Sequence, residues 1–267
     1  MTWSFPIGRL FGSELRVHAT FFLLLLWIGV AAYMQDGMQA ALINVAFILA
    51  LFACVVAHEF GHVLTARRYG IKTPDITLLP IGGLARLEKL PEKPAREVLV
   101  ALAGPAVNVV IWAVLVFVFD ARIDMESLEQ FEDPAYGFWA KLAAVNLFLA
   151  LFNLIPAFPM DGGRVFRAVL SIWMSRVKAT KAAARAGQVV AFLFGFLGLT
   201  SGNLILLLIA IFIFAAAAAE SSDVALKDMA RGIPVRAAMI TAYEPLSPDD
   251  GRDAMSSGLL RTTQHEF

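Results

Sequence analysis

Residues 42–66 read LINVAFILALFACVVAHEFGHVLTA, an apolar run long enough to span a membrane that carries two histidines and a glutamate near its end. His58 and His62 are four residues apart, so on a helix they share a face and both imidazoles can close on one zinc ion. Glu59 lies beside them, placed to take a proton from an attacking water. The combination predicts a zinc hydrolase site inside a membrane. The alternative is a chance match on an amphipathic helix. The apolar setting weighs against it, because ionisable side chains in a spanning helix are costly and usually functional.

Composition supports the membrane reading. The chain is 59% hydrophobic and only 16% charged, with a mean hydropathy of +0.70, well outside the range of soluble globular domains. Formal net charge is zero, so nothing global points to nucleic acid, and the basic residues serve instead as topology markers. The single cysteine, Cys54, excludes an intrachain disulfide framework. It lies on the same face as His58, but about 12 Å of helix rise separates it from His62, so it reads as a small core residue and not a ligand. The first apolar run follows Arg9 and Arg16 but lacks a small-residue cleavage site, so no cleavable signal peptide is expected.

Apolar runs at 19–34, 42–66, 98–119, 138–156, 188–199 and 203–219 predict an all-α polytopic membrane protein with about six transmembrane helices. The last two are separated by Thr200-Ser201-Gly202 and form either a tight helical hairpin, the preferred reading, or one broken helix. Basic residues collect before the first span, between spans two and three and between spans four and five. The loop at 120–135 is acidic, with Asp124, Glu126, Glu129, Glu132 and Asp133. Positive-inside orientation therefore places both termini in the cytoplasm and the metal site, five residues from Arg67, toward the cytoplasmic face. Between spans two and three, Ile76 to Leu87 has β-favouring residues around Gly82-Gly83, which reads as a short β-hairpin or as an irregular loop.

Two histidines leave a catalytic zinc site incomplete, since such sites use three protein ligands and keep a fourth position for water. His18 and His265 are the only other histidines, and His18 reads as an interfacial side chain. Asp161 is the outstanding candidate. It follows the fourth run in Asn153-Leu154-Ile155-Pro156-Ala157-Phe158-Pro159-Met160-Asp161-Gly162-Gly163-Arg164, where two prolines and two glycines must break the helix. Non-helical backbone at membrane depth is tolerated where it is shielded or lines a cavity, so the break can deliver a carboxylate to the metal. The competing reading is that Asp161 caps the next helix. Gly104-Pro105-Ala106-Val107-Asn108 is a second polar interruption. Asn108 there, like Asn146 and Asn153, either bonds between helices or meets substrate backbone.

Taken together, His58-Glu59-Phe60-Gly61-His62 and the Asn153–Gly163 stretch about a hundred residues later resemble the two signature motifs of the site-2 proteases, a family of intramembrane zinc metalloproteases. The likeness extends over residues 8–220 and includes Gly104–Asn108 and Gly82-Gly83. It implies one zinc per chain held by His58, His62 and Asp161, with Glu59 as catalytic base. It also implies that Asn108 and Asn153 lie near substrate, with the Gly82-Gly83 hairpin pairing to an extended substrate segment. The implied activity is hydrolysis of a peptide bond in or near the transmembrane segment of a single-span substrate, such as an anti-sigma-factor-like regulator, in regulated intramembrane proteolysis. A membrane zinc transporter or metal sensor is the rival reading, and a catalytically silent homologue a second. After Glu220 the composition turns polar, giving residues 1–220 as the membrane-embedded domain and 221–267 as a cytoplasmic tail. Val235–Thr241 and Leu246–Asp250 resemble the opening of a CBS domain, so the tail reads as a disordered segment or as the start of such a module. Membrane lipid is the expected surrounding, and the oligomeric state is left open.

Overall fold

The computed structural model describes residues 3–80, 82–85, 91, 93–121, 137–231 and 251. The acidic loop and the CBS-like motif lie outside these described residues. By internal packing, residues 1–221 form one compact unit and residues 222–267 a second.

The chain opens with two strands, β1 (Ser4–Leu10) and β2 (Ser13–His18), joined at Phe11-Gly12. Both turn residues have positive φ, 47° and 75°, the backbone that matches the twist of a two-residue hairpin. His18 then caps helix α1 (Ala19–Arg68), its Nδ1 accepting from the Thr20 amide at 3.4 Å. A straight helix of 50 residues would run about 75 Å, more than twice the thickness of a hydrocarbon core. Instead the helix breaks at Gly37, at φ 81° and ψ −169°, a conformation open to glycine. The two arms fold back on each other. The Phe21 and Phe52 rings lie 4.5 Å apart, although 31 residues of straight helix would separate them by roughly 46 Å. Ala32, Ala40 and Ala41 pack together beside the break.

After α1, strand β3 (Asp75–Leu79) pairs parallel with β2, and β4 (Gly82–Ala85) pairs antiparallel with β3, Leu79 opposite Gly82. The result is a four-stranded sheet in the order β1-β2-β3-β4, so β1 and β4 are its edges. Ile76 and Leu78 of β3 are buried. Ile76 packs on Phe60 and Val63, which anchors the sheet to the helix that bears the histidines. The sequence reading had no strands in the first 18 residues. Pro6 and Gly8 interrupt β1, Glu14 and Arg16 interrupt β2, and Phe11-Gly12 lacks the usual turn chemistry, so the strand signal was weak.

Helix α2 (Pro94–Phe117) begins with proline in its first turn, followed by Glu97 near the positive end of the helix dipole. Helix α3 (Phe138–Asn153) is apolar but short. It gives way to non-helical chain until α4 (Asp161–Leu170), so the break expected around Pro156 is present. Helices α5 (Arg176–Ser201) and α6 (Leu204–Arg231) are joined at Gly202, whose φ of 67° is the left-handed C-cap conformation. Gly198 lies against the Leu207 backbone, so α5 and α6 form a hairpin and not one broken helix. Among the described residues four helices are long and apolar enough to cross a membrane: α1, α2, α5 and the Leu204–Leu226 part of α6.

Candidate metal centre

Three elements meet at one point. The C-terminal arm of α1 brings His58 and His62, the start of α4 brings Asp161, and the middle of α2 forms the floor beneath both rings. His62 Nε2 lies 3.1 Å from His58 Nε2 and 3.1 Å from Asp161 Oδ2, and His58 Nε2 lies 3.2 Å from the same oxygen. The triangle is almost equilateral. Zinc–nitrogen and zinc–oxygen bonds near 2.0–2.2 Å in tetrahedral geometry separate neighbouring donors by about 3.3 Å, so these three atoms fit one ion with the fourth corner left for water. All three side chains are buried. The donor set of two imidazoles and a carboxylate is of the kind catalytic zinc uses.

The surroundings fix this geometry. The Val100 carbonyl can only accept, so His62 Nδ1 donates to it, at 2.7 Å, and Nε2 keeps its lone pair facing the other two donors. A Cβ on Gly104 would collide with both imidazoles, so a glycine is required at that point of α2. At the neighbouring residue, a Cβ on Gly61 would come within 2.6 Å of the Ala103 carbonyl, so α1 and α2 touch backbone to backbone here. Asp161 does not cap α4. Met160 occupies the cap position, no side-chain cap bond forms, and the carboxylate turns toward the histidines. Burial would raise the Asp161 carboxyl, but His62, His58 and Arg164 outweigh it and hold the group below the usual carboxylate range.

Glu59 is half-buried beside the triad, and β4 lies directly against it. A Cβ on Gly83 would stand 2.6 Å from Glu59 Cγ. An edge strand of the sheet, among the described residues, thus passes next to Glu59. Gly82, at φ 134° with open space where a side chain would be, continues that edge. Asn108 lies one turn beyond Gly104 on α2. It is 1% exposed and its Oδ1 accepts no protein hydrogen bond, so an acceptor lies desolvated on the face of α2 that carries Gly104. Asn153 is placed differently: its amide donates to Leu149 of its own helix at 3.0 Å. Cys54 is buried in an apolar cluster with Leu115 and Leu142, away from the triad, as a core residue.

One set of residues escaped the sequence reading. Arg167, fully buried, meets Glu97 and Glu220, and Arg176 also reaches Glu97. Basic residues between apolar runs were read only as topology markers. The signal that could have separated Arg167 is its spacing, six residues after Asp161 on the helix face that also buries Gly162, Gly163 and Ala168.

Comparison with known proteins agrees with this geometry. Residues 46–133 and 121–197 match the pattern of peptidase family M50. A zinc metalloprotease of Methanocaldococcus jannaschii is 37% identical over 252 residues, covering 93% of this chain and 70% of the relative. The stage IV sporulation protein FB of Bacillus subtilis is 29% identical over 158 residues, 59% of this chain and 48% of that protein. Among solved structures, a site-2 protease from Methanocaldococcus jannaschii superposes with a TM-score of 0.62 at 34% identity, covering 92% of this chain and all of that one. The chain belongs to peptidase family M50, the site-2 proteases, and is a multi-pass membrane zinc metalloprotease.

Proposed function

We propose that this protein hydrolyses a peptide bond in or near the transmembrane segment of a single-span membrane protein, with His58, His62 and Asp161 as zinc ligands and Glu59 as general base. The observation that carries the proposal is the convergence of three buried donor atoms 3.1–3.2 Å apart with a glutamate next to them and an edge strand against that glutamate. Zinc held there supplies a Lewis acid that makes water acidic near neutral pH and polarises a carbonyl. The chain's own groups do the rest. A Glu59 carboxylate oxygen takes the proton of the attacking water and later delivers it to the leaving amine nitrogen. The β4 edge, with Gly82 and Gly83, offers backbone groups to an extended substrate segment, which must first give up its helical hydrogen bonds. Asn108 stands near the site with an unspent acceptor, suited to a substrate amide. Asn153, whose amide donates to the Leu149 carbonyl of its own helix, is the second asparagine assigned to the substrate side.

The same reading places six spans in the membrane, with the arms of α1 counted separately. Both termini and the metal face the cytoplasm, because the basic segments flank the metal-bearing ends of the helices. Residues 1–220 then form the protease domain, and 221–267 begin a cytoplasmic segment whose Val235–Asp250 stretch is the opening of a CBS-like module. The setting is regulated intramembrane proteolysis, and an anti-sigma-factor-like regulator is the class of substrate proposed. A zinc transporter would need access from both sides and has no use for Glu59 beside the metal.

The test is cleavage of candidate single-span substrates by the purified protein in detergent, with chelator and after zinc is restored. Loss of cleavage with chelator and recovery with zinc supports the protease. Zinc flux across proteoliposomes without any cleavage would instead establish the transporter.

A further inference from the structure

An ionic network with a buried centre, Arg167 and Glu97, packs against α4. Arg167 on α4 is fully buried, with Nε donating to Glu97 Oε1 at 2.8 Å and Nη1 donating to Glu220 Oε1 at 2.7 Å. Arg176 at the start of α5 approaches the other Glu97 oxygen at 3.0 Å and donates to the Pro91 carbonyl at 3.1 Å. Two arginines and two glutamates balance in charge, and they link α2, α4, α5 and α6. The Arg167 guanidinium also lies over the Phe158 ring, 5.0 Å from its centroid. Phe158 is 1% exposed, packs on Ala183, Ala184 and Ala217, and belongs to the non-helical chain three residues before Asp161. Arg167 therefore holds the segment on both sides of Asp161.

The partner on α2 is equally well placed. Glu97 lies in the first turn of the helix whose Val100 carbonyl orients His62 and whose Gly104 lies under both imidazoles. The histidines are thus referenced to α2, and Asp161 to α4. The Arg167–Glu97 pair is the polar link between these two references. A catalytic constellation must be held within about half an ångström of its working geometry, and the backbone around Asp161 is interrupted by Pro156 and Pro159, so the helix ladder alone does not hold it there.

We propose that Arg167, through Glu97 and Glu220, is the positioning residue that sets Asp161 at liganding distance from the histidines. The proposal rests on Asp161 being the third zinc ligand. Arg167 touches neither metal nor substrate; its effect passes through α4.

The test uses the full chain in detergent and reads the metal directly, by zinc competition against a chromophoric chelator and by the visible absorption of the cobalt-substituted protein. Arg167→Met should weaken zinc binding by about tenfold to a hundredfold, the range for groups that orient ligands, and change the cobalt spectrum. Arg167→Lys, which restores a cation between the two glutamates, should recover much of the affinity and the parental spectrum. If Arg167→Met lowers the unfolding temperature while the folded protein keeps parental affinity and spectrum, Arg167 is merely structural and the proposal is overturned. Should Arg167→Met not fold, Glu97→Gln decides, because it keeps the side chain's shape while removing the charge that ties Arg167 to α2. Weaker zinc binding in that variant supports the link, and unchanged binding with an unchanged spectrum overturns it. Asp161→Ala, measured alongside, separates the two claims: retained zinc there defeats the ligand assignment itself, whereas lost zinc with unaffected Arg167 and Glu97 variants defeats only the positioning role.

Discussion

Two glycines define the site as much as its charged residues do. Gly104 lies under the imidazoles and Gly83 lies against Glu59, so adding one carbon at each place should separate metal binding from proton transfer. Gly104→Ala should cost zinc, because the new methyl would occupy the space of both histidine rings. Gly83→Ala should leave zinc at one per chain and lower cleavage, because it displaces Glu59 or tilts β4 away from it. Metal analysis beside a cleavage assay on the two variants checks both expectations. The opposite pattern would mean that β4, and not α2, shapes the metal pocket.

At the scale of elements, what was legible in the sequence followed signal strength. The histidine pair was legible because i, i+4 spacing is fixed by helix geometry. The break before Asp161 was legible because prolines and glycines punctuate an otherwise apolar run. Whether Asp161 capped a helix or faced the histidines was not, since both begin from an aspartate at a helix start, and only the path of the chain through Met160 distinguishes them. The β1–β2 hairpin was hidden by Pro6 and Gly8, and Arg167 by its likeness to the topology-marking arginines around it. The fold-back of α1 was read as two runs, and its hinge is the single residue Gly37. Gly37→Ala should therefore destabilise the protein by about 1–3 kcal/mol, because the required backbone is nearly closed to other residues. A thermal unfolding scan of the variant measures it. Independently, a cysteine pair at Gly29 and Val45, which touch across the arms, should cross-link on oxidation, and a failure to do so would mean that the arms do not pack.

For the whole molecule, the proposed function calls for a one-sided arrangement in which water reaches the metal site from the cytoplasm. Positive-inside reasoning gives the labelling pattern. A cysteine at Ser127 should be reached by a membrane-impermeant reagent in intact cells, and one at Lys89 should be spared. The reverse pattern would invert the topology. Removing the chain after residue 234 should leave zinc content unchanged, since every proposed ligand lies in the first compact unit. The central claim is that metal binding and proton transfer are carried by different residues of one site, and it is tested most directly at Glu59. The measurement is zinc per chain together with cleavage of a single-span substrate by Glu59→Gln, which keeps the side chain's shape but removes the base. Zinc near one per chain and hydrolysis reduced by about two to four orders of magnitude are expected. A Glu59→Gln protein that cleaves at the parental rate with its zinc in place would contradict that claim.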